Sequence, residues 1–150
     1  MAVPTGAGTE TLHAHHFENI ANTFRQVIIG VQHHVYTVLS VICYVSALNA
    51  VGNTVAMWIS AYDSHAGTTG RDLYVFTHAI NEANETFVWN DKFSFNGNEP
   101  TDFTGPLDTV AKQDAIADQA QATAQHLKVW SEAAGDNFDV ICTYIDQNNA

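Results

Sequence analysis

The sequence of 150 residues predicts an all-β protein, an antiparallel β-sandwich that is either jelly-roll-like or immunoglobulin-like. Three observations lead to this fold class. Short segments rich in Val, Ile, Tyr and Phe alternate apolar and polar positions with a period of two, as strands do. Clusters of Gly, Asn and Asp separate these segments as turns. Helix propensity is concentrated in one Ala- and Gln-rich segment, so at most one short helix is expected, around 108–124.

The beginning of the chain is predicted to lie outside the sandwich. Residues 1–23 contain mostly Gly, Thr, Ala, His and Asn and few large apolar side chains, so an extended N-terminal arm is expected. Residues 24–150 are predicted to form one domain, because a chain of this length can build a single hydrophobic core. Within the domain, the segment at about 97–125 contains Pro100 and Pro106 and is predicted to be an inserted loop.

The strands follow from the same patterns in chain order. Residues 24–31 and 35–45 are rich in β-branched and aromatic residues, and Gly30 and a polar stretch separate them, so they are predicted to be two strands. The second has apolar residues on both alternating faces, and both faces are therefore expected to be covered. Five further strands are predicted over 54–62, 73–76, 86–95, 126–131 and 138–146.

The chain is strongly acidic. Five Lys and Arg residues against sixteen Asp and Glu residues give a net charge of −11 with His counted as neutral. Nucleic acid binding needs a positive surface, and the five cationic residues are scattered singly, so neither nucleic acid nor an anionic membrane is expected as a partner. Charged residues make up only 14% of the chain, against about 25% in an average protein. This shortage predicts that part of the surface is hidden in an assembly.

Membrane spans and disulfides are not predicted. The longest apolar stretch, 35–48, is too short to cross a bilayer and is interrupted by Thr37, Ser40 and Ser46. The first residues lack the basic and apolar regions of a secretory signal, so synthesis in the cytoplasm is expected. Each of the two cysteines lies inside an apolar run, which favours reduced cysteines in the core; they are Cys43 and Cys142.

The segment His13-Ala14-His15-His16 is the most distinctive local pattern. In an extended chain, side chains two residues apart project to the same side, so His13 and His15 are candidates to share a metal ion. The alternative is a polar arm that binds nothing, and we favour it because a metal site also needs supporting groups that the pattern does not identify. No cofactor is predicted.

Catalytic motifs are not evident. Asp63-Ser64-His65 contains the residue types of a hydrolase triad, but contiguous residues rarely bring their side chains together, and no Gly-x-Ser-x-Gly motif is present. The loop carboxylates are typical of solvated side chains. The sequence therefore predicts a protein that is not an enzyme.

Aromatic residues supply the candidate interface. Trp58 and Trp130 lie out of phase with the more apolar face of their strands, which favours contact with a partner. Tyr36 and Tyr44, both on the strand over 35–45, are the other interface candidates. The alternatives are ordinary core positions or an exposed platform on which a sugar ring stacks.

Three short motifs occur in a characteristic order: Ile28-Ile29-Gly30, the segment from Glu85 to Lys92, and Tyr144-Ile145-Asp146. This order resembles that of small β-sandwich virion proteins of tailed bacteriophages, over about residues 24–146. The resemblance implies a capsid decoration or cement protein, made in the host cytoplasm and located in the virion. Such a protein binds copies of itself, for example as a trimer, and the major capsid protein or other virion proteins.

The resemblance carries no catalytic residues to this chain. Residues 97–120 depart from the family's compact pattern, which leaves open which virion component the chain would be. A tail or fibre subunit is therefore one alternative. A lectin-like carbohydrate-binding module, using the exposed aromatic residues, is the other.

Overall fold

The computed structural model describes residues 9–32, 34–63, 68–98 and 124–148. These residues form β-strands and connecting turns, with no helix among them. The predicted short helix and most of the predicted inserted loop lie outside the described residues. The strands are β1 (Thr9–Ile20), β2 (Arg25–Ile29), β3 (His34–Ala47), β4 (Thr54–Asp63), β5 (Thr68–Ala79), β6 (Thr86–Trp89), β7 (Phe93–Asn96), β8 (His126–Ser131) and β9 (Asn137–Asn148).

The strands form two antiparallel sheets that pack face to face. Sheet A has the order β1-β9-β3-β6, and β7 also pairs with β3. Sheet B has the order β2-β8-β4-β5. The buried side chains of both sheets belong to one hydrophobic core. The predicted antiparallel β-sandwich is confirmed.

The strand order is that of a jelly roll. The pairs are nested: β1 pairs with β9, β2 with β8, β3 with β6 and β7, and β4 with β5. A long antiparallel hairpin wrapped around a core gives this nesting, and its strands then divide between two sheets. The first of the two predicted sandwich types is therefore the one that the chain adopts.

Strand β1 differs from the predicted arm. The prediction placed residues 1–23 outside the sandwich, but Thr9–Ile20 is an edge strand of sheet A, in antiparallel register with β9 from Thr9↔Asn148 to Ile20↔Phe138. Its sequence is polar because an edge strand of a two-layer fold buries only part of one face. Ile20, at its end, is fully buried and joins the core.

Strand β3 also differs from its prediction. Both of its faces were expected to be covered, but Ile42 and Tyr44 are 38% and 39% exposed. A β-bulge between Val38 and Ser40 reverses the alternation, so core residues fall on even positions before it and on odd positions after it. Because of the bulge, β3 has apolar core residues at both even and odd positions, and its sequence therefore suggests two apolar faces although only one face is buried.

The predicted strand over 86–95 is two strands in the structure. Residues 90–92 separate β6 from β7, and both pair with β3. The side chains of Phe87, Trp89, Phe93 and Phe95 face the core, as the period of two predicts.

The two cysteines lie in the core on neighbouring strands. Both are free and have no exposed surface. Cys43 pairs with Val140 in the β3–β9 ladder, and Cys142 pairs with Val41. The two thiols therefore lie in successive inward-facing pairs of this ladder. Burial raises the pKa of each thiol to about 12, and the neighbouring Cys142 adds to the increase at Cys43.

A buried carboxylate fastens one end of the sandwich. Asp136, in the turn between β8 and β9, is 3% exposed. Its Oδ1 accepts hydrogen bonds from Asn49 N at 2.8 Å and from Asn53 Nδ2 at 3.1 Å. Its Oδ2 accepts one from Ser131 Oγ at 2.7 Å and one from Ala133 N at 3.2 Å. The carboxylate therefore ties the β8–β9 turn to the connection between β3 and β4.

Two glycines allow close backbone contact at the opposite end. A Cβ added to Gly30 would lie 2.0 Å from the carbonyl oxygens of Gly97 and Gln125. A Cβ added to Gly97 would lie 2.2 Å from the Val31 oxygen. The crossing is therefore possible only without side chains at these positions. Next to it, Asn98 and Ala124 form an isolated β-bridge.

Among the described residues there is no helix that is long and apolar enough to cross a membrane.

Candidate functional site

The outer face of sheet A presents three transverse rows of side chains. Along β9, Val140, Cys142 and Tyr144 are buried, so the residues between them project outward. Residues in register on the neighbouring strands project the same way. The rows are Leu12–Ile145–Thr37–Ser94, Ala14–Thr143–Ser40 and His16–Ile141–Ile42–Val88.

These eleven side chains include no Lys, Arg, Asp or Glu, and we call them the uncharged face. The large apolar members are well exposed: Leu12 by 69%, Val88 by 53%, and Ile42 and Ile141 by 38% each. Exposed apolar side chains grouped on one face of a protein often mark a site of interaction. Its occurrence on a chain of net charge −11 makes the lack of charged groups informative.

The next row marks the boundary of the uncharged face. Asp139, Tyr44 and Thr86 are in register there. The Asp139 carboxylate accepts a hydrogen bond from Asn19 N at 3.0 Å, and the Tyr44 hydroxyl donates one to Asn84 Oδ1 at 2.9 Å. Tyr44, a predicted interface residue, is therefore half-exposed at the border of this face.

The outer face of sheet B carries four aromatic side chains, Phe24, Trp58, Tyr74 and Trp130, which we call the aromatic cluster. The Trp58 ring lies at its centre, with centroid distances of 5.9 Å to Tyr74, 6.3 Å to Phe24 and 6.3 Å to Trp130. Trp58 is only 8% exposed, because its neighbours cover it, whereas Phe24 and Tyr74 are 48% and 53% exposed. The ammonium of Lys128 lies 4.6 Å from the Phe24 ring centroid, within cation–π range.

The four predicted interface residues therefore fall in different places. Trp58 and Trp130 lie together on the outer face of sheet B, as their phase in the sequence indicates. Tyr36 is 3% exposed and faces the core, so it does not present an interface. Its parity matches that of Tyr44, but the bulge in β3 separates the two onto opposite faces.

His13 and His15 lie on the inner side of β1, where they face the edge of β2. Their ring centroids are 5.6 Å apart, and the His13 ring stacks on Tyr144 at 5.1 Å. His15 Nδ1 is 3.4 Å from the Val27 oxygen, and His15 Nε2 is 3.3 Å from the Tyr144 hydroxyl. The described part of the chain contains no group of three or more His, Cys, Asp or Glu side chains that could hold a metal ion. Ser64 and His65, which form a triad-like segment with Asp63 in the sequence, lie outside the described residues.

A cavity of about 340 Å³ lies beside these histidines, between the edge strands β1 and β2. Tyr36, Tyr144 and Asp146 also line it. Burial, with a further contribution from the Asp146 charge, raises the pKa of both tyrosines to about 12, so both hydroxyls are protonated at neutral pH. His34 Nδ1 is 2.6 Å from Asp146 Oδ1. Periodicity predicts that His13 and His15 share a side, but the tyrosines reach this cavity through strand register, which no local pattern encodes.

No protein-family model matches this chain, and no curated protein matches it. Among solved structures, a chain from Bacillus endospore appendages, described as a novel family of disulfide-linked pili, aligns over 100% of this chain and 96% of its own length. The identity is 9% and the TM-score is 0.41. At these values the likeness assigns neither a family nor a function.

Proposed function

We propose that this protein is a non-enzymatic structural subunit that packs against copies of itself and against partner proteins. The observation that carries the proposal is the uncharged face of sheet A. Charged side chains are depleted at the centre of protein interfaces, and the rim stays polar. The three uncharged rows, with Asp139 at their border, have this distribution.

The assembly is most consistent with a virion surface, as the sequence resemblance implies. A capsid decoration or cement protein needs no chemistry, occupies many symmetric positions and gains strength from the simultaneous engagement of many copies. Jelly rolls also serve in viral capsid proteins, which supports this use of the fold without identifying it. A tail or fibre subunit is the alternative, and the uncharged face would form the interface in either case.

The test is the mass of the purified protein in solution, measured by light scattering over a range of concentrations. We expect a homo-oligomer, such as a trimer, and we expect Ile42→Lys and Ile141→Lys to convert it to a monomer. Each change places a charge within the uncharged face, on one of the two central strands of sheet A, at a side chain that is already partly exposed. Val51→Lys is the matched control, because Val51 is 76% exposed in a turn away from this face.

The virion location needs its own test. Cryo-electron microscopy of phage particles that contain this protein would show density of its size on the shell. A wild-type protein that stays monomeric at all concentrations and never copurifies with particles would contradict the proposal.

The aromatic cluster favours a second candidate function, a lectin-like module. Phe24 and Tyr74 are 48% and 53% exposed, and sugars stack on exposed aromatic rings in carbohydrate-binding proteins. In this case, tryptophan fluorescence would change on addition of an oligosaccharide and Tyr74→Ala would abolish the change. Silence on a glycan array, with unchanged fluorescence, would remove this candidate.

A further inference from the structure

The cavity between β1 and β2 combines one polar wall with one apolar wall. His13, His15, Tyr36, Tyr144 and Asp146 supply the polar wall. The apolar wall is formed by Val and Ile side chains of β2 and of the residues that follow it. Ile29 and Val31 are 59% and 49% exposed at the rim, so the cavity opens to solvent. Its volume of about 340 Å³ falls in the size range of small-molecule sites.

The hydrogen bonds of His15 and Tyr144 leave the Tyr144 oxygen as an acceptor for a ligand. The Val27 oxygen can only accept, so His15 Nδ1 carries the proton in the contact between them, and Nε2 of the neutral ring is an acceptor. The Tyr144 hydroxyl then donates to Nε2, and its own oxygen lone pairs stay available. The Tyr36 oxygen already accepts a hydrogen bond from Val31 N at 3.2 Å, so that hydroxyl keeps its O–H donor and one lone pair.

Asp146 supplies the negative charge of the cavity wall, and its Oδ1 already lies 2.6 Å from His34 Nδ1. Asp146 is the only acidic residue of this wall, and no Lys or Arg occurs among the described residues that line the cavity. The chain as a whole carries a net charge of −11, which repels anions and attracts cations. Aromatic rings beside a carboxylate further favour a positive group, through the negative face of each ring.

From these features we propose that the cavity binds a small primary amine that carries an apolar group. The ammonium, which is a donor with no acceptor, faces Asp146 and the Tyr144 oxygen, and the apolar group lies against the β2 wall. This site is independent of the uncharged face and does not depend on the assembly proposed above.

The test compares three probes of the same shape and different charge by isothermal titration calorimetry and NMR. They are 2-phenylethylamine, 2-phenylethanol and phenylacetate. We expect the amine to bind at least about tenfold more tightly than the alcohol, a factor that corresponds to about 1.4 kcal/mol. The carboxylate is expected to bind most weakly. NMR shifts are expected at the amides of β2 and at the end of β9.

Variants then test which residues cause the preference for the amine. Asp146→Asn is expected to remove the preference for the amine over the alcohol, because it removes the wall charge and retains the shape. Asp91→Asn, which changes an exposed carboxylate elsewhere, is expected to leave all three affinities unchanged. Ile29→Arg places a cation at the exposed rim and is expected to weaken amine binding at least about tenfold.

Equal affinities for amine and alcohol would overturn the proposal. So would an amine preference that survives both Asp146→Asn and Ile29→Arg, or absence of binding by all three probes at millimolar concentration. If Asp146→Asn does not fold, Ile29→Arg alone decides, since its side chain is already largely in solvent.

Discussion

Ser131 Oγ donates a hydrogen bond of 2.7 Å to Asp136 Oδ2 in a part of the protein where the two residues are 1% and 3% exposed. The bond joins the last residue of β8 to the turn that leads into β9. Because Asn49 and Asn53 bind the other carboxylate oxygen, one ionised side chain holds three chain segments together. A buried charge of this kind is stable only while its hydrogen bonds are complete.

We predict that Asp136→Asn lowers the free energy of unfolding by about 3 kcal/mol, because charge-assisted hydrogen bonds are lost and an amide NH₂ group then faces donors. Urea denaturation followed by circular dichroism measures the change. Asp91→Asn, at an exposed position, should alter stability by no more than about 0.5 kcal/mol. Equal stability of the Asp136 variant and the wild type would show that the carboxylate does not fasten the turn.

The same carboxylate predicts sensitivity to acid. Burial alone would raise the pKa of Asp136, but hydrogen bonds from Asn49, Ser131, Asn53 and Ala133 together hold it below the ordinary value. The unfolded chain therefore takes up this proton at higher pH than the folded chain does. The stabilisation is present above the unfolded pKa of about 3.9 and is lost as pH falls through the folded pKa.

We therefore expect the urea midpoint of the wild type to fall between pH 5 and pH 3 more steeply than that of Asp136→Asn. Denaturation curves at half-unit intervals of pH give the two slopes. Parallel slopes would mean that other groups account for the acid sensitivity.

The buried thiols predict the opposite behaviour in alkali. The pKa of Cys43 and of Cys142 is about 12 in the folded protein, against about 8.5 for an unfolded thiol. The unfolded chain thus releases these protons first. Stability is complete below pH of about 8.5 and falls as pH rises toward 12, by up to about 1.4 kcal/mol per pH unit for each thiol.

Unfolding at pH 8 to pH 10 in the presence of a reductant tests this prediction. Cys142→Ala is expected to be less stable at pH 8, since it leaves a small cavity, but to lose less stability per pH unit. The range stops at pH 10 because Tyr36 and Tyr144, whose pKa values are raised to about 12, add to the slope above it. An unchanged slope in the variant would contradict the assignment to the thiols.

We predict that Gly30→Ala destabilises the protein by at least about 3 kcal/mol or prevents folding, because two backbone carbonyl oxygens occupy the place of the new Cβ. Gly135→Ala is the comparison. A Cβ there would approach the Asn49 side chain at 2.7 Å, and a side chain moves aside more easily than backbone. Thermal unfolding measures the loss of stability in both variants, and a larger loss in Gly135→Ala than in Gly30→Ala would contradict this interpretation.

The sandwich could be predicted from sequence because its strands obey a local rule. In β9 the buried residues Phe138, Val140, Cys142 and Tyr144 alternate with outward positions over most of the strand, so composition and period together indicate it. Strand β1 does not show this alternation of buried and exposed residues, because at the edge of the sheet only Ile20 is fully buried. Its identity as a strand depends on its pairing with β9, more than a hundred residues later, which no local pattern encodes.

The candidate surfaces also divide into one that local sequence predicts and one that depends on strand pairing. Trp58 and Trp130 could be grouped from their phase, because both strands are regular where these residues lie. The uncharged face could not be predicted, since its rows join residues from separate strands through register, as Ile42 joins Ile141 and Val88. The bulge in β3 also placed Tyr36 and Tyr44 on opposite faces, although their spacing predicts a common one.

The nested pairing of the jelly roll also sets the order in which the protein is completed during synthesis. β1 is the first described strand to leave the ribosome, and its ladder partner, β9, is the last. In the same way, β2 cannot pair until β8 has been synthesised. Neither edge can close until β8 and β9 have been synthesised, so the rate of folding is limited by the joining of segments that are distant in sequence. Until those strands join, the apolar faces of the earlier strands are exposed, and the incomplete chain is prone to aggregation.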